Sequence, residues 1–121
     1  MMNKKTLVLG ASDHPYRYSY LAINALESKG HDVIAIGKRS GHVGKIKIET
    51  QQKDIKDLDT VSLYLNPGNQ KLYYDYIISL LPKRIIFNPG AENEELADLA
   101  MQHGIETKYA CTLVMLSTGL Y

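Results

Sequence analysis

The stretch from Thr6 to Leu26 constrains the fold more than any other part of the chain. Thr6, Leu7, Val8 and Leu9 are strand formers closed by Gly10, and they read as a strand buried on both faces. A short polar turn follows, Ala11-Ser12-Asp13-His14-Pro15. Tyr18, Leu21, Ala22, Ala25 and Leu26 then recur at the spacing of an amphipathic helix. A buried strand passing through a glycine turn into a helix is the first half of a βαβ unit. Such a unit aims the helix N-terminus, with its unpaired N–H groups and partial positive charge, at the mouth of the turn. Phosphates bind readily there. Only Gly10 stands where the G-x-G-x-x-G fingerprint wants three glycines, so this stretch by itself is equally a tight turn that needs a residue without Cβ.

The rest of the chain repeats the unit. Lys29-Gly30 stops the first helix. Residues 32–36 form a second buried strand, followed by Gly37-Lys38-Arg39-Ser40-Gly41. Beyond Gly41 the pattern loosens: Ile46 and Ile48 alternate as in a short edge strand, and Ile55 with Leu58 suggests one helical turn. Residues 60–65 are the third strand, ending in Asn66-Pro67-Gly68-Asn69, and Leu72, Tyr73, Tyr76, Ile77 and Leu80 form a helical stripe. Residues 83–87 are the fourth strand, ending in Asn88-Pro89-Gly90. The helix after it is striped by Leu96, Leu99, Ala100 and His103 and stopped by Gly104. Residues 105–109 make a fifth strand, and residues 112–117 a terminal helical turn or docking segment. Strands alternating with helices predict an α/β fold, a Rossmann-like doubly wound parallel sheet of about five strands with helices on both faces. The turns starting at Gly10, Gly37, Asn66 and Asn88 then share one rim, at the carboxyl ends of the strands, where such sheets bind ligands.

Composition narrows the class. At 121 residues and 45% hydrophobic content, the chain is expected to form a single domain, residues 1–121. A formal net charge of +1 gives no electrostatic case for nucleic acid or an anionic membrane surface. No apolar run approaches a membrane span, and the first strand leaves no room for a signal-peptide core, so a soluble cytoplasmic protein is expected. The single cysteine, Cys111, excludes an internal disulfide and a CxxC metal or redox motif, and no spacing supplies it with a base. His14 reads as a solvated loop histidine and His103 as a hydrogen-bonded one in the core or at a helix end. Glu92, Glu94 and Glu95 read as acids in the first turn of a helix rather than as paired catalytic carboxylates. Asn66 and Asn88 read as helix caps or turn formers. A response-regulator receiver is excluded, because it needs an acidic pair after the first strand and an aspartate at the end of the third.

The turn after the second strand discriminates among ligands. An NAD-binding unit places a carboxylate there for the ribose hydroxyls; this chain has Gly37, Lys38 and Arg39. Two cations suit a phosphomonoester on the ribose, which favours coenzyme A or NADP over NAD. Here the ordered motifs become specific: GASDHPYRYS after the first strand, Gly44 before KIKI, NPGAENEELADLA after the fourth strand, and ACTLVML near the end. Together they resemble the small stand-alone CoA-binding protein family over nearly the whole chain. That family has a CoA-binding Rossmann-like domain similar to the nucleotide-binding domain of succinyl-CoA synthetase alpha subunits. The resemblance implies that Gly10, Ala11, Ser12 and Asp13 line the pyrophosphate turn, with Arg17, Tyr18 and Ser19 behind it. It implies further that Gly37, Lys38 and Arg39 lie near the 3′-phosphoadenosine end, although many members have Asn-Pro-Lys at this place. Leu65, Asn66 and Pro67, with Asn88, Pro89 and Gly90, then line the pantetheine side. The expected activity is binding of coenzyme A or an acyl-CoA as a sensor or binding domain, with no catalytic residue and no metal site. A small NADP-binding oxidoreductase or an acyl-CoA-using enzyme is the alternative. A protein partner or homo-oligomer is left open.

Overall fold

In the computed structural model, which describes residues 3–121, strands and helices alternate along the chain. The strands are β1 (Thr6–Leu9), β2 (Val33–Ile36), β3 (Gly41–Val43), β4 (Ile46–Glu49), β5 (Thr60–Leu63), β6 (Arg84–Phe87) and β7 (Glu106–Tyr109). The helices are α1 (Tyr18–Ser28), α2 (Pro67–Gln70), α3 (Tyr74–Leu80), α4 (Glu94–Gln102) and α5 (Thr112–Thr118), with a 3-10 turn at Lys71–Tyr73 joining α2 to α3. All the strands lie in one sheet, ordered β3-β4-β2-β1-β5-β6-β7. Every neighbouring pair is parallel except β3 with β4. This is an α/β fold consistent with the Rossmann-like expectation, but the sheet has seven strands rather than about five.

The additional strands come from residues 41–49, where the apolar pattern is thinnest. A turn at Gly44 folds them into a hairpin, and β3 carries only one buried side chain, Val43. Ile46 and Ile48 do alternate in a strand, yet that strand lies inside the sheet, parallel to β2 on one side and covered by β3 on the other. Ile55 and Leu58 are buried in irregular chain, not in a helical turn. Between them Asp57 takes a φ of 57°, a left-handed conformation that a right-handed turn cannot include.

Two apolar layers flank the sheet. Leu7, Leu9, Val61, Leu63, Ile85 and Phe87 face α3 and α4, while Val8, Ala35 and Ile48 face α1 and α5. Burial on both faces is why β1 reads as an apolar run, whereas β7 at the sheet edge is mostly exposed. The half of the sheet under α5 is different. Thr6, Thr60, Ser62, Arg84 and Asn88 are all buried there, and the Arg84 Nε donates to the Thr60 hydroxyl at 2.7 Å while its guanidinium stacks 4.4 Å from the Tyr121 ring centroid.

α1 also lies differently from its sequence stripe. Its buried residues are Ser19, Ala22, Ile23 and Leu26, whereas Tyr18 is 71% and Leu21 42% exposed. The β-branched Ile23 and the small Ser19 present a closer-packing face than the predicted stripe, so the helix turns Tyr18 outward.

At the carboxyl edge the chain packs backbone on backbone. Gly10 has a φ of +94°, and a Cβ there would stand 3.1 Å from the Leu65 nitrogen. The order in which strands are added reverses between β1 and β5, which makes this the switch point of the sheet. A Cβ at Gly37 would lie 2.2 Å from the Ala11 carbonyl oxygen. Gly37→Ala is therefore expected to destabilise by about 3 kcal/mol or more, through overpacking against backbone that cannot yield. Gly104→Ala, at a φ of +74° but in open space, should lose only about 1 kcal/mol. Denaturant midpoints measure both, and a loss at Gly37 no larger than that at Gly104 contradicts the packing described.

Candidate functional site

The turns after β2, β1, β5 and β6 share one rim because those strands are adjacent and parallel. The Gly10 and Ala11 N–H groups both donate to the Ile36 carbonyl at 2.9 Å. These two peptides therefore shape the turn and have no donor left for a ligand. Ser12 folds the turn further, its Oγ accepting from the His14 N–H at 3.0 Å. The His14 ring rests beside Tyr16, centroids 5.3 Å apart, and both side chains are exposed.

α1 leaves this turn uncapped. Arg17 occupies the N-cap without a side-chain cap bond, and the first turn holds no acid. The N–H groups of that turn and their positive potential stay open to an anion. By contrast, Asn93 caps α4 by accepting from Leu96 N–H, and Asn66 caps α2 by accepting from Asn69 N–H. Arg17, Lys38 and Arg39 are exposed, and among the described residues none of them pairs with a carboxylate. The loop bearing Lys38 and Arg39 is packed against the backbone of the β1 turn at its start and lies beside the Asp13 side chain at its end. Gly37 meets the Ala11 carbonyl, and a Cβ at Gly41 would lie 2.6 Å from Asp13 Oδ2. Gly10, Ala11, Ser12, Asp13, Arg17, Tyr18, Lys38 and Arg39 are thus gathered on one side of the rim, with Ser19 buried beneath.

On the other side, Leu65 is half-buried, while Asn66, Pro67, Pro89 and Gly90 are exposed. Asn88 is only 1% exposed. Its Nδ2 donates to Ser62 Oγ and the Leu63 carbonyl, both at 3.0 Å, and its Oδ1 accepts from the Thr112 N–H at 2.8 Å. The Asn88 side chain thus caps α5 from a neighbouring strand end, and its backbone is engaged as well, the N–H donating to the Leu63 carbonyl at 3.3 Å and the carbonyl accepting from the Ala91 N–H at 2.8 Å. Gln70 ties this side together. Its Nε2 donates to the Leu65 and Ala91 carbonyls at 2.8 and 2.7 Å, and its Oε1 accepts from Asn93 Nδ2 at 2.9 Å. Sequence reasoning passed over both Gln70 and Asn93. An asparagine before Glu-Glu-Leu is a readable N-cap signal; a glutamine in a four-residue helix has no periodicity to mark it.

The other polar candidates are accounted for locally. His103 Nδ1 meets the Leu99 carbonyl at 3.0 Å at the end of α4. Glu92 precedes the Asn93 cap, accepting from Gly90 N–H at 2.9 Å, so only Glu94 and Glu95 are in the first helical turn. Cys111 is half-buried at the N-cap of α5. Among the described residues no group of three metal-ligating side chains forms, and no helix is long and apolar enough to cross a membrane. A surface depression of about 460 Å³, lined by Lys5, Glu27, His31, Asp32 and Lys45 among others, lies at the opposite end of the strands and shares no residue with the rim.

A mostly parallel α/β sheet with an uncapped helix N-terminus beside its switch point is consistent with a Rossmann-like fold. The sequence matches the model of a family described as "CoA binding domain" over residues 4–117, and the chain belongs to that family. A solved structure described only as an uncharacterized protein is 50% identical with a TM-score of 0.97, each chain covering 100% of the other. A hypothetical protein from Pyrococcus horikoshii OT3 is 24% identical with a TM-score of 0.86, over 98% of this chain and 85% of that one. A Thermus thermophilus protein is 18% identical with a TM-score of 0.84, over 98% and 91%. The last two share the fold alone. No curated protein matches the chain.

Beneath the rim, the Tyr64 phenol is buried without a well-formed hydrogen bond, because the neighbouring Ser62 and Thr112 hydroxyls bond each other at 2.8 Å. Burial pushes the Tyr64 pKa up to about 12, against a smaller lowering by those hydroxyls. An unfolded chain releases this proton near 10.0, so stability falls as pH rises from there towards about 12. Tyr64→Phe should flatten part of that fall and lose at most about 1 kcal/mol at pH 7, since no partner is orphaned. Urea titrations at a series of pH values measure it; an unchanged slope contradicts the buried phenol.

Proposed function

We propose that the chain is a single-domain binding protein for coenzyme A or an acyl-CoA, acting as a ligand-binding or sensing module rather than as a catalyst. The observation that carries this reading is the close packing of Gly37, at the start of the Lys38–Arg39 loop, against the backbone of the β1 turn. It brings two unpaired cations beside an uncapped helix N-terminus. Coenzyme A offers matching anions, a pyrophosphate for the α1 N-terminus and a ribose 3′-phosphate for Lys38 and Arg39. Its pantetheine arm runs towards Leu65, Asn66, Pro67, Pro89 and Gly90, where the rim has few charges. The family match supports the ligand class. Of the acids beside the β6 turn, Glu92 accepts from the Gly90 N–H and Glu95 from the Tyr74 hydroxyl, while Glu94 is exposed in the first turn of α4.

Thermal-shift measurements test the proposal. Coenzyme A at about 100 times its Kd should stabilise by about 2.7 kcal/mol, and dephospho-CoA at the same concentration by less. Lys38→Ala together with Arg39→Ala should remove the difference between the two ligands and leave the response to dephospho-CoA. Equal shifts in the unaltered protein contradict the placement of the ribose phosphate. A larger shift with NADPH than with coenzyme A contradicts the choice of ligand.

A further inference from the structure

We propose that Asp13 reads the ribose of the bound nucleotide, accepting a hydrogen bond from the hydroxyl next to the phosphorylated one; this rests on the coenzyme A reading above. A carboxylate in a phosphate-binding turn is out of place electrostatically, since it repels the ligand's phosphates. Its position gives it a different task. The Asp13 carboxylate leaves the β1 turn and lies against the start of β3, where a Cβ at residue 41 would stand 2.6 Å from Oδ2 and 3.0 Å from Cγ. Gly41 does not have a positive φ, so its backbone does not require glycine. A side chain at residue 41 would push the carboxylate aside from this position.

The loop that ends at Gly41 is the one that carries Lys38 and Arg39. A carboxylate from one turn and two cations from the next therefore flank the same part of the rim. Among the described residues Asp13 forms no ion pair, and its carboxylate accepts no hydrogen bond. The Asp13 carboxylate is exposed, and an ionised carboxylate only accepts, so a donor on the ligand can take the place of water there. A ribose phosphorylated on one hydroxyl has one such donor left beside the phosphate, the 2′-hydroxyl in coenzyme A. Phosphate on Lys38 and Arg39 with hydroxyl on Asp13 satisfies both groups at once. Asp13 then supplies, from across the gap, the acid that the end of β2 lacks.

Calorimetric titration of the protein, Asp13→Ala and Gly41→Ala with coenzyme A and with its 2′-deoxy analogue tests this. The unaltered protein should bind the deoxy analogue about tenfold to a hundredfold more weakly, as for a hydrogen bond to a charged group. Asp13→Ala should bind both ligands equally, near the unaltered protein's affinity for the analogue. Gly41→Ala should do the same although it keeps the carboxylate; should that variant not fold, the Asp13→Ala comparison decides alone. If Asp13→Ala binds coenzyme A as tightly or more tightly and still prefers it to the analogue, the carboxylate is only a repulsive neighbour and the proposal is overturned. Equal binding of both ligands by the unaltered protein overturns the ribose role but leaves the coenzyme A reading standing. No binding of coenzyme A overturns both.

Discussion

The Ile36 carbonyl accepts both the Gly10 and the Ala11 N–H at 2.9 Å, and the Ala11 carbonyl lies where a Cβ at residue 37 would stand. Everything on the rim depends on that contact. It holds the end of β2 to the turn after β1 through backbone atoms, which have little freedom to give way. The cations of the next loop are consequently placed beside the first helix. On the other side of Gly10, the close approach of Leu65 sets the edge of β5 against the same turn. A rim assembled from main chain in this way has a shape that does not depend on the side chains around it.

The half-sheet under α5 solves a different problem. Its buried hydroxyls, amide and guanidinium must find partners inside the protein, because unpaired buried polar groups are costly. Asn88 does most of this for the upper end, with three bonds of which the one from the Thr112 N–H caps α5, and Thr60 with Tyr121 engages Arg84 at the lower end. The Tyr64 hydroxyl and one Arg84 nitrogen are left over. A polar network so near the rim fixes the orientation of α5, and with it the position of Cys111 at its start.

Much of this was legible in the sequence for physical reasons that can be named. β1, β2, β5 and β6 are four-residue strands of which most side chains are buried, so their apolar runs stand out against polar turns. Gly10, Gly37 and Asn88 directly follow β1, β2 and β6 and so mark their turns, and Asn66, beyond the end of β5, caps α2. The hairpin of β3 and β4 escaped full recognition, since an exposed three-residue strand such as Gly41-His42-Val43 has almost no apolar signature. The rotation of α1 was hidden because Ala22 and Leu26 belong to the predicted and the observed face alike. Asn88 was read as a cap and is one, but for α5 rather than for the helix that follows it, and a cap supplied across the sheet leaves no local pattern. The proximity of Asp13 to Gly41 depends on a contact between two turns and was likewise invisible in the order of residues.

The most direct test of the account is the backbone amide spectrum of isotopically labelled protein titrated with coenzyme A. The largest chemical-shift changes are expected at Ser12, Asp13, Tyr18, Ser19, Lys38 and Arg39, with smaller ones at Leu65 and Gly90, while His31, Asp32 and Lys45 at the opposite end of the strands stay unmoved. Saturable changes centred on that opposite end, or none at all, contradict the placement of the ligand on this rim.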